Sequence, residues 1–293
     1  MNEWLMVLPE DEATFWARVA LAFVFCFGAI IGSFLNVCIY RIPLDQSVSV
    51  PRSHCFGCGK TIPWYFNIPL LSWFMLRGKC AYCKSPISFR YPAVEALTAL
   101  LFLLVFQMWG NPTLFGLVKL QEPLLIPIYW LFVASVIVDA FIDLDHGILL
   151  DRIAYGGTFL ALVMSALFPE IHGQAVWTQG LLQSGIGIAV GFGGLFAIAW
   201  LGELVFRKEA MGFGDVKWMA LFGALFGWNG CLAILIVASL LGALVGIVLM
   251  LSRRAQMTSA IPFGPYLGAG ALLWLFWGTR MWDWYIALLM PAQ

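Results

Sequence analysis

Ala210-Met211-Gly212-Phe213-Gly214-Asp215-Val216-Lys217 sets an ionisable carboxylate between apolar segments and behind two glycines. A matching place lies upstream, in Phe141-Ile142-Asp143-Leu144-Asp145-His146-Gly147. A carboxylate beside hydrocarbon is costly to ionise, so acids in such positions mark functional sites when a partner can be named. Two carboxylates facing each other in a semi-dry site cannot both ionise easily, so they share a proton and titrate as a coupled pair. The ionised member can then take a proton from water while the protonated member gives one to a peptide carbonyl, which is aspartic-protease chemistry. Gly212 and Gly214 are expected to let the backbone approach a substrate strand and to take angles closed to other residues. The simpler reading is that Asp215 caps the next helix after a glycine break. This stretch alone does not choose between cap and catalyst.

Composition says what these acids are embedded in. Of 293 residues, 62% are hydrophobic and 11% are charged, which excludes an ordinary water-soluble domain. The expected fold is an all-α polytopic membrane bundle of about eight transmembrane helices, because spans of about 20 apolar residues recur along the chain. They fall near 17 to 40, 92 to 110, 124 to 142, 153 to 169, 181 to 203, 214 to 228, 229 to 251 and 266 to 289. The sixth and seventh meet at Gly227-Trp228-Asn229-Gly230, which reads as a tight turn. Sixteen basic and sixteen acidic residues cancel, and no basic stripe suggests nucleic acid. Near the start, Glu3, Glu10, Asp11 and Glu12 occur without Lys or Arg, unlike a cleaved signal peptide, so the first span is expected to stay in the mature chain.

Basic residues favour cytoplasmic loops. Arg41, Arg52, Lys60, Arg77, Lys79, Lys84, Arg90, Arg152, Arg207, Lys208, Lys217, Arg253 and Arg254 lie in or beside the connections after spans one, three, five and seven. Only Arg18, Lys119 and Arg280 lie on the other side. This bias places both termini outside and gathers Asp143, Asp145, Asp151 and Asp215 at the cytoplasmic face. Glycine pairs at helix-packing spacing, Gly187/Gly191, Gly223/Gly227, Gly242/Gly246 and Gly264/Gly268, read as close helix contacts.

The sizeable polar segment, residues 41–91, carries Cys55-Phe56-Gly57-Cys58 and then Cys80-Ala81-Tyr82-Cys83. Two Cys-x-x-Cys pairs at that separation match a closed four-thiolate zinc site, with Gly57 and Gly59 easing the turn. About fifty residues bury too little core to fold unaided, so a metal staple suits the segment. Paired disulfides would need the opposite orientation, since the charge bias puts this insert in the reducing cytoplasm. Cys26, Cys38 and Cys231 lie in apolar spans and read as small buried hydrophobes. The expected organisation is an outer segment and first span to residue 40, the zinc-binding insert 41–91, and a transmembrane core 92–293.

Several acids could partner Asp215. Asp139 and Asp143 are four residues apart and share one helix face. Asp145 and Asp151 lie nearer the loop, and Glu95 and Glu203 stand near span ends. Spacing does not select among them.

The run Asp143-Leu144-Asp145-His146-Gly147-Ile148-Leu149-Leu150-Asp151, followed by Gly212-Phe213-Gly214-Asp215-Val216-Lys217, resembles the type IV prepilin peptidases, membrane aspartic proteases with a Gly-x-Gly-Asp motif. Gly32-Ser33-Phe34-Leu35-Asn36-Val37-Cys38-Ile39-Tyr40-Arg41-Ile42-Pro43 is similar to the family's first-span signature, and Ile261-Pro262-Phe263-Gly264-Pro265-Tyr266 to its last-loop motif. The resemblance implies a bifunctional inner-membrane enzyme. It would remove the basic leader of a prepilin or type II secretion pseudopilin at the cytoplasmic edge, then methylate the new amino terminus with S-adenosylmethionine. Asp143 and Asp215 map onto the catalytic pair, with Gly212, Gly214, Asp145 and Lys217 supporting and Asp151 structural. Leu150 stands where the family usually has Pro, and the Asp143 to Asp215 separation is longer than expected, placed around Pro169 to Gly180. No glycine-rich strand-to-helix turn marks a methyl-donor site; the insert, Glu95 and the first-span signature are the places to look.

Other classes predict different features. A proton-coupled transporter would set acids near mid-bilayer, with Asp139 its best residue. A thiol oxidoreductase would need the cysteines in an oxidising setting. A scaffold would keep the cysteines and tolerate loss of the aspartates.

Overall fold

The computed structural model describes residues 10–109, 123–207, 211–252 and 262–289. Glu3, Lys119, Lys208, Arg253, Arg254 and Ile261, which entered the charge and motif readings, lie outside the described residues. Among the described residues the regular structure is helical, apart from two isolated antiparallel bridges, His54 with Thr61 and Lys79 with Pro86. Among the described residues, five helices are long and apolar enough to cross a membrane. The protein is an all-α polytopic membrane bundle.

The chain divides into two compact units, Met1–Val138 and Asp139–Gln293. In the first, helix α1 (Glu10–Arg41) packs along α3 (Arg90–Trp109), and the insert between them carries the short α2 (Leu71–Met75). Small residues set the α1–α3 approach. A Cβ on Gly28 would stand 2.7 Å from the Ala99 Cα, and one on Gly32 would stand 2.7 Å from the Glu95 Cα. Such backbone proximity is how membrane helices gain dispersion contact without a hydrophobic drive between them. This glycine pair was not among the four the sequence reading singled out, although its spacing is the same. Helix α4 (Ile126–His146) begins in this unit, where Trp130 stacks on Phe102 at 5.2 Å and its Nε1 donates to the Phe102 carbonyl at 3.0 Å.

The second unit holds the end of α4, then α5 (Asp151–Leu167), α6 (Trp177–Phe206), α7 (Phe213–Leu251) and α8 (Gly264–Leu289). Gly227 breaks α7 with φ 72° and ψ −176°, outside helical geometry. In a straight helix Met219 and Cys231 would be about 18 Å apart. Instead the Cys231 Sγ lies 3.7 Å from the Met219 carbonyl, so α7 doubles back at Gly227 as two antiparallel legs. The turn expected at Gly227 to Gly230 is there, and the positive φ is why its first residue is glycine.

Helix α6 packs against both legs. A Cβ on Gly187 would collide with the Gly223 carbonyl, and one on Gly223 with the Gly187 carbonyl. Ser184 donates to the Ala224 carbonyl at 2.8 Å, satisfying a hydroxyl that no solvent reaches. Between α5 and α6, a 3-10 turn over Pro169–His172 closes on Gly173 in the left-handed region. Burial pushes the His172 imidazole below its ordinary pKa, and its Nε2 pairs with the Ser165 hydroxyl at 2.9 Å.

Replacing Gly187 or Gly223 by Leu should therefore destabilise the detergent-solubilised protein by about 1–3 kcal/mol or more through overpacking. Gly193→Ala, where nothing lies within 4 Å of an added Cβ, should leave stability within about 1 kcal/mol of wild type, with any change a gain. Thermal melts of the three variants check both.

Candidate active site

The last turns of α4 carry Asp139 and Asp143 on one face, and both side chains are buried. The helix stops because Gly147, at φ 66°, turns its N–H back to the Asp143 carbonyl at 2.9 Å. The loop that follows feeds Leu149 and Leu150 into the space between α4 and α5. Leu150 donates its backbone N–H to Asp139 Oδ1 at 3.4 Å, and Trp218 of α7 donates its Nε1 to Asp139 Oδ2 at 2.8 Å. Asp139 is thus a fully enclosed latch joining α4, the loop and α7. The departure at Leu150 also acquires a use, since a proline there would have no N–H to offer.

Asp143 is held differently. The first backbone N–H of α8, on Gly264, donates to its Oδ2 at 3.0 Å. An unpaired helix-start amide and a buried acid satisfy each other in this contact. Gly264 cannot be larger, because a Cβ would lie 2.6 Å from that same oxygen. Gly264 had been read as a packing glycine paired with Gly268; its role here is to let a backbone amide reach a carboxylate.

Asp215 enters from the start of α7. Its N–H donates to the Gly212 carbonyl at 3.2 Å, and Gly212 is the N-cap residue, with no side-chain capping bond. Asp215 is therefore in the first turn and does not cap the helix. Its carboxylate is buried and makes no hydrogen bond to a described residue, and the titratable side chain whose charge bears on it is Asp143. Leu149 packs close to a glycine near each acid. That side chain would lie 3.0 Å from a Cβ on Gly264 and 3.0 Å from a Cβ on Gly214. Gly214 thus permits close packing as expected. Neither Gly212, at φ −65°, nor Gly214 takes an angle closed to other residues, which corrects that part of the expectation.

Lys217 reaches Asp151 at 2.7 Å and lies over the rings of Phe213 and Tyr155, at 5.0 and 5.4 Å. It ties the start of α7 to the start of α5. Asp145 and Glu203 are exposed. Trp218 has no place in the sequence analysis, and the contacts of Leu149 and Gly264 are not foreseen there, because an aromatic, a leucine and a glycine in apolar surroundings carry no local sign of what they touch.

In the first unit the four thiols of Cys55, Cys58, Cys80 and Cys83 all lie within 4.8 Å of one another. Cys55 Sγ and Cys83 Sγ are 3.7 Å apart, close to the separation of about 3.8 Å that tetrahedral metal–sulfur bonds of about 2.3 Å require. No disulfide joins them. Each pair sits in the same turn: Gly59 N–H to Cys55 carbonyl at 2.8 Å and Cys55 N–H to Lys60 carbonyl at 2.9 Å, matched by Lys84 to Cys80 at 3.1 Å and Cys80 to Ser85 at 2.8 Å. The matched residues Gly59 and Lys84 are both left-handed, at φ 68° and 61°. Hydrogen bonds from Ser85 and from the backbone of Cys58 and Gly57 hold the Cys55 thiol down to about 6, where it is ready to act as a thiolate ligand. The set fits one metal ion.

Comparison with known proteins follows the same division. Residues 26–109 match the Bacterial Peptidase A24 N-terminal domain, and residues 129–247 match the Type IV leader peptidase family. The chain is 38% identical to the prepilin leader peptidase/N-methyltransferase of Aeromonas hydrophila, over 90% of this chain and 92% of that protein. It is 38% identical to the Myxococcus xanthus protein of the same name, over 92% and 76%. It is 37% identical to a type 4 prepilin-like proteins leader peptide-processing enzyme of Escherichia coli O78:H11, over 85% and 91%. No solved structure matches. With relatives this similar along nearly the whole chain, and with both of its parts matched in order, the chain belongs to the type IV leader peptidase family.

Proposed function

We propose that this protein is a membrane aspartic endopeptidase that removes the leader of type IV prepilins or type II secretion pseudopilins and then N-methylates the new amino terminus. What supports the peptidase half is that Asp143 and Asp215 are both buried in one compact unit, with Leu149 packed near both Gly214 and Gly264 and with Asp143 oriented by the Gly264 amide. In the reading offered here, one carboxylate takes a proton from the attacking water and the other gives one to the scissile carbonyl oxygen. The C–N bond then breaks with the proton passing to the leaving amine. Asp139, latched by Trp218 and Leu150, positions the end of α4 and stays out of the chemistry. Lys217 and Asp151 keep α5 and α7 in register, and Asp145 and Gly212 remain supporting neighbours of the pair.

Eight membrane crossings are the finer topology we favour. The reversal at Gly227 makes α7 two legs, so α1, α3, α4, α5, both legs of α7, α6 and α8 supply them. The basic-residue bias then sets the acids and the insert of residues 41–91 at the cytoplasmic side of the inner membrane, with both termini periplasmic. The cysteine set would hold a structural zinc ion, which would staple an insert whose own core is small. When bound, S-adenosylmethionine would supply the methyl group: the new amine's lone pair forms the N–C bond, the C–S electron pair returns to sulfur, and the nitrogen loses a proton.

Two outcomes are expected. With purified protein and a synthetic prepilin-like peptide, Asp143→Asn and Asp215→Asn should each lower leader removal by about 10³-fold or more while the protein still inserts and folds. Retention of wild-type cleavage by either variant would refute the pair. Metal analysis should find one zinc per chain, a content lost in Cys55→Ser or Cys80→Ser. Wild-type protein that is metal-free when prepared without chelator would refute the staple.

A further inference from the structure

Close contacts fix which residues of α6 and of the two legs of α7 lie at one level. Cys231 on the second leg touches the Met219 carbonyl on the first, and a Cβ on Gly191 of α6 would collide with that same carbonyl. Both neighbours run antiparallel to the first leg. Four residues nearer the start of α7, the same pairing sets Asp215 level with Leu235 on the second leg and with Leu195 on α6. Leu195 and Leu235 both line a groove of about 400 Å³ between α6, the second leg of α7 and the start of α8. That volume lies within the range of about 300–1,000 Å³ usual for ligand sites.

The groove also borders the backbone that touches each acid. Met211, on its wall, precedes Gly212, where an added Cβ would stand 3.5 Å from Asp215 Oδ2. Phe263, also on its wall, precedes Gly264, whose amide holds Asp143 Oδ2. None of the residues that line it is charged, and apart from the hydroxyls of Ser239 and Tyr266 the wall is apolar. Gly242 keeps the space open. The Tyr266 ring stands 3.4 Å from where a Gly242 Cβ would be, so a large side chain there would occupy the groove itself.

An uncharged trough beside a peptide-cleaving pair suits a bulky apolar side chain of the substrate. A basic leader would find no counter-charge on this wall, so the side chain that enters comes from the other side of the cleaved bond. We propose that the groove is the subsite that grips a large apolar side chain just carboxy-terminal to the cleaved bond, with Met211, Gly242 and Tyr266 setting the size it accepts. The proposal rests on the peptidase reading above and adds what holds the substrate in register with the two acids.

Steady-state cleavage of two synthetic prepilin-like peptides by the full-length protein in detergent tests it. One peptide carries bulky apolar residues directly after the cleaved bond, and the other carries alanine in those places. Wild type should show a KM about tenfold or more higher for the alanine peptide, the usual worth of filling an apolar subsite. Gly242→Leu should raise KM for the bulky peptide about tenfold or more and change kcat less than about threefold, because the contact it removes is made equally before and during the reaction. Its KM for the alanine peptide should stay within about threefold of wild type. Ser239→Leu, at an exposed position on the same wall, should behave alike and serves if the thermal midpoint shows that Gly242→Leu does not fold. Equal KM for the two peptides in wild type, an unchanged KM for the bulky peptide in either folded variant, or a rise of equal size for both peptides overturns the subsite and leaves the peptidase reading standing. No cleavage of either peptide by wild type overturns both.

Discussion

A single backbone amide, Gly264 N–H, fixes the position of Asp143, and the geometry around the candidate pair follows from that contact. A helix must leave its first amides without internal partners, and an acid surrounded by apolar helices must find donors. Here one deficit answers the other. The solution demands a residue without a side chain at the start of α8, and it draws Leu149 into the gap that remains, against Gly214. Asp215 thereby comes to lie in the first turn of α7 with its carboxylate unspent on the protein itself. One carboxylate is thus firmly oriented by the backbone and the other is left free of hydrogen bonds to the described residues.

The same economy recurs at Asp139. Trp218 and Leu150 donate to its two oxygens, so this acid is committed to the protein itself. Three aspartates of similar burial therefore have different roles, decided by what donates to each. Burial alone would not have separated them.

Much of this was legible from the residues. Two Cys-x-x-Cys pairs specify a thiolate cluster because four ligands at those spacings have few other uses. Acids at the ends of apolar runs flag themselves by cost, and the reversal at Gly227 is announced by glycines bracketing a short polar step. What stayed hidden depends on partners distant in sequence. Asp139 could not be told from the other candidate partners of Asp215, because nothing near it in the chain reveals Trp218, seventy-nine residues on. Gly264 looked like a packing residue because its neighbour is a carboxylate one hundred and twenty-one residues away. The groove walls, likewise, come from α6, the second leg of α7 and the start of α8.

The twin cysteine turns are alike in hydrogen bonding and unlike in one residue. Where the amino-terminal turn closes on Gly59, its counterpart closes on Lys84, whose left-handed backbone costs about 1–2 kcal/mol that glycine avoids. The four-thiol set is therefore built from one relaxed turn and one sprung turn. Cys83, next to the sprung residue, is also exposed to solvent, whereas Cys55 is buried, so the carboxy-terminal turn is the more accessible and the more strained side of the cluster.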